Sequence, residues 1–374
     1  MEIREIRQHQ LQAYIDSKEY KTSQYVAISK HRALSHLRNP RVKPNDLVLV
    51  LVYDAGEMLA YLGVFADDLH FSTGVEHVGW LSCMWVDPKM RGKGIAKKLI
   101  QAVFEAWDYK ILVTEFTPAA HGLYNRTEQF LDLAKPEGVR GYLRLNLAYL
   151  LPKKDEKWNQ WKPFLSCVDA FFNVFNALRL FTKFDYRVPL ECLGINGSFE
   201  YLTEIDAESW AFIEKQKGKE LMNRGKEDLD WILKNPWLIS APFKDANAER
   251  YHFSAIDASF NFLMIKVYDL EMNVKAFVLL SIRGKNLKVP YIYMEEGQEG
   301  AVLQLIYRHM LKMKLDMLTV FHPTLVRLIK NGKTPFFKKR AFKRHYIIGK
   351  ILGKQLAATP DFIIQDGDAD AVFT

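Results

Sequence analysis

The stretch Trp85-Val86-Asp87-Pro88-Lys89-Met90-Arg91-Gly92-Lys93-Gly94-Ile95-Ala96 leaves its backbone few options. Residues from about 76 to 86 read as a strand, and Pro88 closes it because proline has no N–H to give a ladder. Gly92 and Gly94 permit a tight turn and a close approach to the main chain that side chains would block. Beyond the turn, Ile95, Leu99, Ile100, Val103, Phe104 and Trp107 recur at helical spacing and make one apolar face. A strand that runs through a glycine turn into a helix offers unpaired amides at the positive end of the helix dipole, and that end holds phosphate. Arg91, Lys93, Lys97 and Lys98 add positive charge there. No Gly-Lys-Ser/Thr closes the loop, and the G-x-G-x-x-G spacing is absent, so neither a Walker loop nor a dinucleotide fingerprint is present.

The surroundings alternate strand and helix signals. Residues 47–53 read as a buried strand, 54–56 as a turn and 58–65 as the returning strand. Residues 110–116 form a further strand, 119–126 a short helix and 141–145 a last strand. A charged, proline-bearing break at 151–157 is followed by a helical connector over 158–181. The second half repeats this order, with strands at 199–202, 260–268, 274–282, 289–294, 315–321 and 342–348 and helices between them. The expectation is an α/β (α+β) fold of mixed, mostly antiparallel sheets flanked by helices, two in tandem. Its domains are 1–148, a connector 149–190 and a second domain 191–374.

Arg91-Gly92-Lys93-Gly94-Ile95-Ala96 resembles the [QR]-x-x-G-x-[GA] signature of the GNAT superfamily of N-acetyltransferases, after a Val-x-Pro strand end and before a long amphipathic helix. The resemblance covers roughly residues 1–148. It implies acetyl-CoA as cosubstrate, with the main chain of Met84 and Val86 on the pantetheine. The amides of Arg91, Gly92, Lys93, Gly94, Ile95 and Ala96 would hold the pyrophosphate. It also implies a bulge in the preceding strand whose free N–H supports the oxyanion. Leu123-Tyr124-Asn125-Arg126-Thr127-Glu128-Gln129-Phe130 resembles the family's L-Y-x-K-x-G-F segment, whose tyrosine protonates the departing thiolate. It departs from that pattern by one extra residue and by Gln129 in the glycine position, which leaves a core role for Tyr124 as the alternative. Glu76, with His77 beside it, is the candidate for taking the amine proton, and Thr114 and Thr117 for contacting pantetheine or substrate. The expected activity is transfer of an acetyl group to a primary amine by direct attack; nothing marks Cys83 as a nucleophile. The alternative is a non-catalytic acyl-CoA-binding or polyanion-binding scaffold.

With 374 residues, 49% apolar, the chain can build two cores. A formal charge of +8 suits an anionic cofactor and nucleic acid equally. Cys83, Cys167 and Cys192 are odd in number and widely spaced, which fits free thiols in a reducing cytoplasm. No metal-ligand spacing appears, so no metal is expected. The apolar run at 164–181 is broken by Asp169, Asn173, Asn176 and Arg179, which argues against a membrane span and against a membrane partner. The amine acceptor is a small molecule or a protein, and nucleic acid is not the expected partner. The second half's counterpart loop, residues 295–301, carries three glutamates that would repel a pyrophosphate, so that half shapes the acceptor pocket, binds substrate or forms a homodimer. The basic run 338–345 reads as a solvated strand face, and 366–370 as a polar tail rather than a calcium loop.

Overall fold

The computed structural model describes residues 1–183, 198–243 and 248–373; Cys192 and the expected limit at 190/191 fall outside them. In chain order, β1 (Glu2–Arg7) leads to α1 (Gln8–Asp16), α2 (Lys18–Thr22) and α3 (Lys30–Leu37). Next come β2 (Leu47–Asp54), β3 (Glu57–Phe71), β4 (Gly74–Val86), α4 (Ile95–Ala106), β5 (Ile111–Thr114), α5 (Pro118–Thr127), β6 (Phe130–Ala134) and β7 (Glu137–Tyr142). The connector holds α6 (Leu147–Lys154) and α7 (Lys162–Lys183). The second half has β8 (Phe199–Leu202), α8 (Ala207–Gln216), α9 (Lys226–Lys234) and a two-residue parallel pair, β9 (Ile239–Ser240) and β10 (Ile256–Asp257). It ends with β11 (Phe260–Tyr268), β12 (Val274–Arg283), β13 (Asn286–Met294), α10 (Glu299–Lys312), β14 (Met317–Val320), α11 (Pro323–Asn331), β15 (Lys338–Lys343), β16 (Tyr346–Gly349) and α12 (Gly353–Ala358).

Two seven-stranded sheets result. The first runs β1-β2-β3-β4-β5-β16-β6, the second β15-β7-β14-β13-β12-β11-β8. Among the described pairings each sheet has one parallel pair, β4 with β5 and β13 with β14. The chain divides into two compact units that are discontinuous in sequence: residues 1–136, 217–260 and 344–374, and residues 137–216 and 261–343. The first unit has apolar cores on both sheet faces. Leu99, Ile100, Val103 and Phe104 of α4 lie on one, and Leu11, Ile15 and Ala33 of α1 and α3 on the other. The second unit's core is built under α10 and α11.

Two strand assignments change. Residues 342–348 form not one strand but two, in different sheets. Between them Arg344 turns inward, where Asp366 and Glu115 hold its guanidinium and Pro136 accepts its N–H, so β15 cannot continue. The strand expected at 141–145 lies at 137–142 and belongs to the second sheet, between β14 and β15. Its glycines are the reason it fits: a Cβ on Gly141 would stand 2.4 Å from the Phe336 ring, and one on Gly138 2.6 Å from Phe321.

Candidate active site

β4 and β5 pair only at Gly79 with Ile111 and Trp80 with Leu112. Beyond Trp80 the two strands part, and β4 continues unpaired on that side to Val86, where Pro88 stops it. On its other side the register with β3 slips: Tyr61 faces Trp85 while Gly63 faces Ser82, so Leu62 alone opposes Cys83 and Met84. This is a β-bulge, with Cys83 held at φ 60°.

A single 3-10 turn, its first amides held by Asp87, leads from β4 into the glycine loop. Gly92 (φ 81°) and Gly94 (φ 76°) are left-handed, and a Cβ on either would meet only open space. Gly94 is the N-cap of α4 and has no side chain to cap with, so the first amides of the helix are free of a capping group. Met84, Val86 and Ile95 pack into one core, while Arg91 and Lys93 are exposed. Met84, Val86 and Arg91 through Ala96 therefore meet at one end of β4, around glycines that leave room for a phosphate.

Tyr124, on α5, is almost fully buried, with its ring edge-on to Phe116 and Phe130 at 5.9 and 5.6 Å. Burial, and then the nearby Asp370 carboxylate, push its hydroxyl pKa well above the usual phenol range. Thr114 donates to the carbonyl of His345, and Thr117 caps α5. Glu76 is not brought to this end. It faces Leu69 near the start of β4, roughly 30 Å from Val86 at about 3.3 Å per residue. Lys110 at 2.8 Å and Gln355 at 3.2 Å hold Glu76, and its pKa is lowered, chiefly by the Lys110 bond. His77 lies at the same remote end between Asp46 (2.9 Å) and Asp68 (2.8 Å). Burial opposes its charge, but the two carboxylates outweigh that and raise it to about 9.

The structure supplies a carboxylate that the sequence reading passed over. Residues 366–370 are not a solvated tail. Asp366 pairs with Arg344 at 2.5 Å, and Asp368 lies buried near Arg224, its pKa raised by burial to about 7. Asp370 accepts a hydrogen bond from the Ser82 hydroxyl, one residue before the bulge. Its carboxyl is surrounded by protein, yet the residue keeps some solvent contact. Burial raises its pKa against the Ser82 bond and the charges of Arg32 and Arg344. Arg32, from α3, approaches the Cys83 thiol, donates to the Tyr251 hydroxyl at 2.8 Å and lies 4.0 Å over the Trp237 ring. The available signal was the alternation of Asp366, Asp368 and Asp370 running into apolar Ala371-Val372-Phe373, a pattern of burial rather than of a tail. Among the described residues no cluster could hold a metal ion.

The second sheet repeats the splay, since β13 pairs with β14 only over Asn286 to Lys288. Its glycine, Gly297 (φ 89°), also precedes a helix, but Glu299 stands in the first turn of α10 and Glu295 is tied to Lys275 at 2.9 Å.

Residues 3–127 match the model of the acetyltransferase (GNAT) family. No curated protein matches the chain significantly. Among solved structures, a probable N-acyltransferase of unknown function from Enterococcus faecalis V583 is 10% identical, with 94% of this chain and 73% of that one covered and a TM-score of 0.52. An N-myristoyltransferase from Saccharomyces cerevisiae with bound myristoyl-CoA and inhibitors is 11% identical, with 93% and 80% covered and a TM-score of 0.51. A tandem GNAT protein from the clavulanic acid biosynthesis pathway gives 10%, 92% and 97%, and 0.48. The likeness to the first two is one of fold. With a glycine loop at the splayed end of a bulged strand, and the family model matching over the same strands and helices, residues 3–127 are a domain of the acetyltransferase (GNAT) family, set in a fold of two such sheets in tandem.

Proposed function

We propose that the protein is an acetyl-CoA-dependent N-acetyltransferase that moves the acetyl group to a primary amine, on a small molecule or a protein, by direct attack. The observation that carries this reading is the open, left-handed Gly92–Gly94 turn leading into the uncapped start of α4 beside the parted strands β4 and β5. The amides of Arg91 to Ala96 take the pyrophosphate, and the main chain of Met84 and Val86 takes the pantetheine arm. The bulge at Cys83 and Met84 turns an N–H toward the thioester carbonyl, where negative charge develops. The amine nitrogen bonds to the carbonyl carbon as the C–S bond breaks. The proton lost by the amine passes to the Asp370 carboxylate, which takes the role first expected of Glu76, and Tyr124 gives its proton to the thiolate. In this division of labour the coenzyme site stays within residues 1–148, while the base comes from the chain's last described segment.

Millimolar acetyl-CoA should raise the melting temperature of the wild-type protein and leave that of Gly94→Val unmoved, since a side chain at φ 76° both strains the turn and fills the space. No shift in the wild type would overturn the assignment. A shift without thiol release across a panel of amines would turn it into the non-catalytic acyl-CoA-binding alternative.

A further inference from the structure

Helix α7 is turned inside out. The side it presents to its own unit carries, beside buried Leu165 and Leu180, three polar groups that are each bonded to main chain. Asp169 accepts from the amides of Leu147 and Ala148 at 2.8 and 2.9 Å. Asn173 bonds both the amide and the carbonyl of Leu145 at 2.9 Å, and Asn176 donates to the Leu143 carbonyl at 2.5 Å. These bonds fix the rotation of the helix about its axis, and so fix what faces outward. Phe164, Phe171, Val174, Phe175 and Leu178 face out, each 60–70% exposed, with half-exposed Trp161 just before the helix. Ser166, Cys167, Ala170 and Ala177 fill the exposed positions between them.

Exposed apolar residues on folded proteins are usually scattered singly, and a contiguous row of them marks a surface that something covers. At about 100° per residue this outward arc spans about half of the helix circumference. It is uncharged throughout, because the one charge between Lys162 and Arg179 is Asp169, which is turned in. A single helix of a second copy would cover a narrow seam of such an arc and leave its flanks wet. A flat apolar medium covers all of it. Phe and Leu with Trp at the margin is the composition of a helix lying in a lipid interface, and the cations that such a helix needs are at its borders. Lys154, Lys157 and Lys162 are exposed around its start, together with Asp155, which Lys157 meets at 2.8 Å, and Glu156. Phe337, whose ring meets Phe172 at 4.9 Å, leads directly into exposed Lys338, Lys339 and Arg340 of β15.

We infer that α7 seats the protein on an anionic lipid surface, with its Phe164–Leu178 face among the acyl chains and the flanking lysines on the head groups. The helix lies on the bilayer and does not cross it; no helix among the described residues is long and apolar enough to do so. The polar residues that spoke against a membrane partner in the sequence are the ones that turn the apolar face outward.

Co-sedimentation of the full chain with phosphatidylcholine–phosphatidylglycerol vesicles tests this. The wild type should pellet with them, less so at high salt or with pure phosphatidylcholine. Phe171→Glu with Phe175→Glu should cut the bound fraction by about tenfold or more with an unchanged melting temperature. Phe171→Gln with Phe175→Gln, which adds no charge, should give a smaller loss and serves if the glutamate pair fails to fold. Wild-type protein that stays in the supernatant, or double variants that pellet as well as the wild type, would overturn the inference. So would a wild-type dimer in light scattering that the same pair makes monomeric, since the face would then belong to a second copy.

Discussion

Asp370 and Tyr124 show what single residues disclose and hide. The tyrosine could be singled out as a candidate from its neighbours in sequence, because Leu123 and Phe130 bracket it in a family-like order despite Gln129. Asp370 could not, since Ser82, which donates to it, and Arg32, whose charge acts on it, are nearly three hundred positions away or more. Glu76 misled for a related reason: a strand's sequence says that it is a strand but not which end meets the loop, and β4 is 13 residues long. The two residues now carry distinct expectations. Tyr124→Phe should lower kcat with little change in acetyl-CoA affinity, as measured by calorimetry and steady-state rates. Asp370→Asn should lower kcat/KM near neutrality by about 10²-fold. The Asp370 pKa is raised by burial, so in the wild type the base form is lost as pH falls through a value above the usual carboxyl range. In the variant the acid limb should move to the ionisation of the amine itself. An unchanged profile would remove Asp370 from the reaction and leave it a structural residue under the bulge.

Among the elements, the loop before α4 was readable in full, because glycine, proline and helical periodicity each act locally. The remote end of β4 was not. There His77 joins β4 to β3 through Asp68 and to the segment before β2 through Asp46, a junction made only by tertiary contact. Its folded pKa, about 9, lies above the unfolded value of about 6.5. The folded state therefore holds the proton more tightly. The stabilisation is fully present below about pH 6.5 and is lost as pH rises through about 9. Urea midpoints across pH 6 to 10 should fall over that window in the wild type and fall less in His77→Gln. Equal slopes would mean that the imidazole does not govern this junction.

At the level of the whole molecule, the order of elements from β2 to α5 was legible, and so was its repeat in the second half, whereas β1, α1 to α3 and β6 were not read. The pairing partners were not, because alternation along a strand reports its buried face but never the sheet that receives it. β7 pairs in the second sheet and β16 in the first, so each sheet takes one strand from the far part of the chain. A polypeptide of residues 1–148 alone would lack β16 and leave the facing edges of β5 and β6 unpaired. It should show no cooperative thermal transition and should aggregate where the full chain melts sharply; a sharp melt of the fragment would show the exchanged strand to be dispensable. The reciprocal loan of strands also bears on inheritance. Neither half can be copied, lost or traded between genes as a ready cassette, and on the ribosome the first sheet must wait, with a gap in it, until every strand of the second has been made.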